Sequence, residues 1–386
     1  MAKNGKPVSP DKVIDAQDVV DDVNPSPALT KLRKDNAKLR TRVDELKLAL
    51  GEDEEYFDVI RKSIDAIEPL PLIPYEPPED KKTIGSALSA VLVLSDWHIG
   101  EYVEPDEIED FNTFNWLIAQ RRVHYLCEKL IAWANIQRIA AKIEELVIIV
   151  AGDLISGDIH QELQVTNEWP VPVQNVKAAY LLSKAVSQLA PHFKKVRVEF
   201  VTADNHARRT KKPQYKQTGF NSEGYVIAFL AKERLRAHKN VEFNVHSKIK
   251  TNVPICGFPY LCQHGNTIRG WAGYPWYGVD RQVSREAKAR RMMPTKTFYK
   301  CIIGHFHTPL KTMDYIVNGS LTGTTELDHG QGRHAPPCQV AFLVHPKYGD
   351  FNFNEFYLHF GDEIDFGGAE LVHDPEDEDA ITEAIH

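Results

Sequence analysis

The chain has 386 residues, 42% of them hydrophobic and 26% charged, the balance of a soluble globular protein rather than a disordered or membrane one. No apolar run approaches the roughly 20 residues of a membrane-spanning helix, and the opening MAKNGKPVSPDK carries no secretory signal, so a cytoplasmic protein without a membrane partner is expected. The net charge of −8 is uneven: from Gly361 to His386 there are ten acids and no Lys or Arg, so the remainder is near neutral and nucleic acid stays admissible as a partner.

Residues 1–28 are rich in Pro, Asp and Val without a sustained period and read as a flexible leader. From residue 29 to 68 the pattern is helical. Leu29, Asn36, Val43 and Leu50 recur every seven residues, with Leu32, Leu39 and Leu46 between them, the seam of a short coiled coil. Residues 29–50 are thus a candidate homodimer contact, the alternative being one amphipathic helix packed on the body. The proline-rich stretch 69–84 cannot propagate a helix and reads as a linker.

The body, 85–360, begins with the buried-strand pattern AVLVLS from Ala90. Further strand-like runs are LVIIVA, VRVEFVT, VEFNVHS, ICGFPYLC, FYKCIIG, DYIVNGS, QVAFLVH and FNFNEFYLH, with helical patterns over 115–143 and 175–190. Strands outnumber helices, which points to an α/β fold in layers. Residues 361–386 form the acidic tail. Cys127, Cys256, Cys262, Cys301 and Cys338 are scattered without CxxC spacing, as reduced, packed thiols would be.

Five polar motifs stand at the ends of strand-like runs: Asp96-Trp97-His98, Gly152-Asp153, Asn205-His206, His264-Gly265 and His305-Phe306-His307. Open α/β sheets gather their ligands at such ends. Carboxylate, amide and imidazole donors suit borderline divalent metals, Mn first and Fe, Zn or Co as alternatives. In DxH and HxH both side chains fall on one side of an extended segment. A bridging carboxylate such as Asp153 could hold two ions about 3.5–4 Å apart, a spacing suited to phosphoryl displacement.

The order DxH, GD, NH, HG, GHxH resembles the calcineurin-like metallophosphoesterase superfamily over about residues 90–325. The resemblance implies a layered α-β-β-α sandwich with two metals. One would be held by Asp96, His98, Asp153 and His307, the other by Asp153, Asn205, His264 and His305. A hydroxide bridging them would attack the phosphorus, and His206 would stabilise the transition state or protonate the leaving oxygen. The family usually places an acid after that histidine, whereas Ala207 stands here, so either another acid, Asp204 for example, supplies the contact or His206 acts with less help. GDLISGDIHQEL, DNHARRTKKP and NGSLTGTTEL look like phage-type phosphoesterases grouped with DNA-repair nucleases.

Charge suggests the substrate. Arg208, Arg209, Lys211, Lys212 and Lys216 follow His206 with no acid among them. The segment 266–297 carries Arg269, Trp271, Tyr274, Trp276 and Tyr277, then a basic helix from Arg281 through Arg285 to Arg291, a combination suited to phosphates and unpaired bases. Metal-dependent DNA cleavage is the first expectation. Hydrolysis of small phosphate esters or phosphoproteins is the alternative, and a metal-binding scaffold without turnover is a third reading from another class.

Overall fold

A computed structural model describes residues 87–159, 162–270 and 275–364, together with Lys34, Lys38, Leu70, Leu72, Pro74 and Tyr75. Met1–Asp58 and Val59–His386 are two separate compact units. In the first, Lys34 and Lys38 are helical and exposed. The leader, the whole heptad seam, most of the linker, Trp271, Tyr274 and the tail from 365 lie outside the described residues.

In the second unit the apolar runs become two sheets. Strands β1 (Ala87–Leu94), β2 (Lys142–Val150), β3 (Lys195–Val201), β4 (Val241–His246), β10 (Cys338–His345) and β11 (Gly349–Tyr357) form a six-stranded sheet in the order β11-β10-β1-β2-β3-β4. β1 to β4 run parallel, in registers such as Val91 with Val147 and Ile148 with Val198, and β10 and β11 are antiparallel. Strands β5 (Thr251–Ile255), β6 (Phe258–Gln263), β7 (Lys300–Ile303), β8 (Leu310–Lys311) and β9 (Tyr315–Val317) form the second sheet, β5-β6-β7-β9-β8, with β6, β7 and β9 parallel.

The strands are apolar on both faces because both faces are covered. Leu92, Ile148 and Val198 turn toward helices α1 (Trp116–Gln137), α2 (Val171–Leu189) and α3 (Glu223–Arg234). Their neighbours Val91, Val93 and Ile149 meet Tyr260, Ile302 and Ile316 of the second sheet. The far face of that sheet, Leu261, Cys301 and Ile303, is closed by Val279 and Val283 of α4 (Pro275–Arg291). The layering is the α-β-β-α sandwich anticipated from sequence.

Some boundaries differ. The helix anticipated over 115–143 ends at Gln137, because Lys142 and Ile143 pair with Ala87 and Leu88 as the start of β2. The run ICGFPYLC is not one strand: Cys256 and Gly257 take positive φ (48° and 87°) and turn β5 back onto β6. Helix α3 was not anticipated. Its apolar face is short, and Ser222 caps it by accepting the Gly224 N–H. Asp362, counted with the acidic tail, belongs to the body: it forms a two-pronged pair with the fully buried Arg122, which also donates to the Leu321 and Thr322 carbonyls. The five cysteines are free thiols, all but Cys256 buried.

Candidate metal centre

The C-terminal ends of β1, β2 and β3 in one sheet and of β6 and β7 in the other deliver the five motifs to one place. Three groups of donor atoms result, each lying within 4.8 Å of one another: Asp96, His98 and His307; Asp153, His264 and His305; and His98, Asp153 and His206. Asp153 and His98 thus join the two halves. Asn205 completes the cluster, its Oδ1 lying 2.9 Å from His264 Nε2.

Carboxylates lace the loops together. Asp96 accepts the His305 N–H on both oxygens at 3.0 Å, which ties β1 to β7 across the two sheets. Asp153 Oδ1 accepts the His206 N–H at 3.0 Å. Asp204 accepts the N–H groups of Asp153 and Ala207 at 3.0 and 2.9 Å. Asp204 is therefore occupied with backbone and does not steady His206. The Ser156 carbonyl does, accepting from His206 Nδ1 at 2.6 Å. This is the group standing in for the acid that Ala207 replaces.

Backbone conformation is unusual where the donors sit. Asp96, His98, Asp153, His305 and His307 all have positive φ, five of the ten such non-glycine residues among those described. Side chains rarely tolerate this region, and strain of this kind gathers at functional sites. The glycines of the GD and GHxH motifs have steric reasons. A Cβ on Gly152 would lie 2.7 Å from Asp204 Cβ and 2.9 Å from His264 Nδ1, and one on Gly304 would lie 2.8 Å from Asp96 Oδ2.

A cation fits the donor set. His264 Nδ1 is 2.8 Å from the Ala151 carbonyl and donates its proton there, which turns the Nε2 lone pair inward. That nitrogen lies 2.8 Å from Asp153 Oδ2 and 2.9 Å from Asn205 Oδ1, and Oδ2 receives no properly aligned hydrogen bond. Once Nε2 gives up its proton, three lone pairs converge there. His98 Nδ1 and Asp153 Oδ2 are both buried without a hydrogen-bond partner, although Glu101 comes within 3.4 Å of the former. Such polar atoms are costly to bury unless a charge of opposite sign compensates them.

Protonation follows the same logic. Burial alone would pull His264 down, but Asp153, with Asp96 and Asp204, raises it to about 9. Burial likewise opposes charge on His307, which hydrogen bonding to Asp328 and Asp96 lifts to about 10. His305, buried beside His264, falls to about 3. Burial and the neighbouring Asp153 push Asp204 to about 7, and burial takes Glu101 to about 8. Protons on His264 and His307 sit where cations would otherwise balance the acids.

Two hollows meet at the cluster, sharing Asn205 and His305. The larger, about 890 Å³, includes His98, Asp153, His206 and His307 in its wall. The smaller, about 290 Å³, includes Arg208, Arg269 and Tyr215. Of the basic residues anticipated as substrate contacts, these two arginines alone line a hollow beside the cluster. Arg209 pairs with Glu223 at 3.3 Å, and Lys211 and Lys212 are exposed outside both hollows. Arg281 lies over the Tyr277 ring and Arg285 is exposed, and neither lines either hollow. Trp276, in the first turn of α4, is partly buried against Phe306 and the core beneath that helix, and lines neither hollow.

Sequence reasoning missed Asp328, whose Oδ2 lies 3.8 Å from His307 Nδ1. Its only local signal was the capping box it forms with Thr325. It also missed Ser156 and Ala151, which act through backbone carbonyls, and Leu321, whose N–H donates to the Asp96 carbonyl at 2.9 Å.

No protein-family model matches this sequence, and no curated protein matches it. Solved structures similar to it include Vps29 complexed with zinc from Entamoeba histolytica, at 11% identity over 69% of this chain and 98% of that one, TM-score 0.25. A conserved uncharacterised protein from Streptococcus pneumoniae, a predicted phosphoesterase, aligns at 10% identity over 70% and 99%, TM-score 0.27. Vacuolar protein sorting 29 from Cryptosporidium parvum aligns at 14% identity over 70% and 98%, TM-score 0.27. Superpositions this loose carry no weight for the chemistry, which rests on the geometry of the cluster.

Proposed function

We propose that this chain is a two-metal phosphoesterase of calcineurin-like type that hydrolyses phosphodiester bonds, with DNA as the first substrate to test. The observation carrying this reading is the convergence of His264 Nε2, Asp153 Oδ2 and Asn205 Oδ1 beside a second cluster of Asp96, His98 and His307. One metal would be held by Asp96, His98, Asp153 and His307, the other by Asp153, Asn205, His264 and His305. Mixed nitrogen and oxygen donors favour manganese, with iron, zinc or cobalt as alternatives. When bound, such a pair supplies Lewis acidity to a phosphoryl group and acidifies water.

The chain's own residues do the rest. Because His206 Nδ1 is committed to the Ser156 carbonyl, Nε2 is the ring nitrogen that exchanges a proton with the reacting group, and it serves the departing ester oxygen. Asp204 fixes the loops bearing Asp153 and His206 through two backbone bonds. Arg208 and Arg269 in the smaller hollow offer positive charge to an anionic part of the substrate.

A second reading, hydrolysis of small phosphate esters, is favoured by the acidic wall of the larger hollow, where Glu104, Glu107, Glu162 and Glu326 stand. The test is purified protein with manganese on single- and double-stranded DNA, RNA and bis-p-nitrophenyl phosphate. DNA cleavage abolished by Asp153→Asn supports the first reading, and turnover of small esters alone supports the second. Two bound metals with no turnover of any ester would leave a scaffold.

A further inference from the structure

The two hollows differ in charge, and their difference constrains how a diester can lie across the metals. Beyond the cluster, the larger hollow presents Glu104, Glu107, Glu162 and Glu326, with Tyr102 and Phe306 between them. Among its described lining residues Arg333 is the one Lys or Arg, and its guanidinium is already paired with Asp328 at 3.3 Å. Glu326 accepts the Glu104 N–H at 2.9 Å, which holds those two acids side by side. The smaller hollow has the opposite character: Arg208 and Arg269 stand among amide and hydroxyl side chains such as Asn221 and Thr218. A diester phosphate seated at the cluster would have space for one limb in each, since the hollows share Asn205 and His305.

We propose that the cleft accepts phosphodiesters in one polarity, with any further phosphate on the Arg208 and Arg269 side and a phosphate-free limb in the acidic hollow. This rests on the phosphodiesterase reading and deepens it. A polynucleotide running through the cleft would place its next phosphate among the four glutamates, where like-charge contact is repulsive. A chain end has no such phosphate. The protein is therefore built to remove terminal nucleosides or nucleotides and to open short diesters, and it works poorly within a continuous strand.

The test uses the full chain with manganese and four thymidine dinucleotides: without terminal phosphate, with a 5′-phosphate, with a 3′-phosphate, and with both. One singly phosphorylated form should be cut at least as well as the unphosphorylated one. The doubly phosphorylated form should be slower than it by about ten-fold or more. A linear oligothymidylate should be degraded from an end, and a circular one of equal length should persist. Replacing Glu104 and Glu326 by Gln should bring the doubly phosphorylated form closer to the better single one, a ratio that a merely structural role would not move. Equal rates on all four dinucleotides, or opening of the circle as fast as the line is shortened, would overturn the proposal while leaving the diesterase reading intact. Absence of turnover even on bis-p-nitrophenyl phosphate would sink that reading, and this proposal with it.

Discussion

Gly152 lies between the β2 strand end and Asp153, at φ 91°. Substituting alanine imposes two separable costs. A Cβ in the left-handed region costs roughly 1–2 kcal/mol. The methyl group would also sit 2.7 Å from Asp204 Cβ and 2.9 Å from His264 Nδ1, both buried, and forced overpacking adds typically 1–3 kcal/mol. The total is about 2–5 kcal/mol. Gly257 isolates the first cost, since its φ is 87° but nothing lies within 4 Å of its would-be Cβ. Urea unfolding of metal-free protein should therefore show Gly152→Ala losing more than Gly257→Ala, by about 1–3 kcal/mol. Calorimetric titration with manganese should further show Gly152→Ala weakened by about 10–100-fold, because the His264 bond to Ala151 is displaced, with Gly257→Ala unchanged. Equal destabilisation of the two variants and equal metal affinity would refute the steric account and the role given to His264.

His206→Asn should keep manganese affinity while kcat on a diester falls about 100-fold or more, whereas His264→Ala should lose metal first, as read by calorimetry alongside kinetics. Metal binding should release protons: His264 and His307, raised to about 9 and 10, are protonated at pH 7 and must each give up a proton, so affinity should rise with pH from 6 to 8. Calorimetry in buffers of different ionisation heat counts those protons, and a flat profile would contradict the assignment. Saturating manganese at about 100 times its dissociation constant should stabilise the fold by about 2.7 kcal/mol for each ion bound, reversed by a chelator. Away from the site, Asp350 holds buried Lys300 and also Lys311 at 2.9 Å each, and Asp350→Ala should cost about 3–5 kcal/mol in urea unfolding. Burial would raise this carboxyl, but the two ammonium groups outweigh it and hold it below the ordinary 3.8, so its contribution is present above that value and disappears as pH falls below about 4.

The sheets were legible because β1, β2 and β3 are covered on both faces, which leaves continuous apolar runs ending abruptly at a polar motif. The donors were legible for the same reason: each stands at such an end. What escaped is carried by backbone or by tertiary context. The carbonyls of Ser156 and Ala151, which orient His206 and His264, have no side-chain signature. Asp328 reaches His307 from 21 positions downstream, within a five-residue helix, Glu326–Gly330, too short to show a periodicity. The basic segments divided because a long side chain on a loop or helix can serve several partners: Arg208 lines a hollow, whereas Arg209, next to it, is held by Glu223.

The left-handed backbone at Asp96, His98, Asp153, His305 and His307 has a consequence for how this centre can be altered. Aspartate, asparagine and histidine are enriched among the non-glycine residues found in that conformation, and they are also donors to divalent metals. Each position is thus filtered twice, once for its lone pair and once for its main chain. The permitted alphabet at these five sites is correspondingly narrow. Glu109 and Cys256 also adopt this conformation, so glutamate or cysteine could be installed at the donor sites at some cost to the peptide, whereas β-branched residues would be refused. Asn205 and His264, outside that conformation, are the donor positions whose main chain leaves most room for exchange.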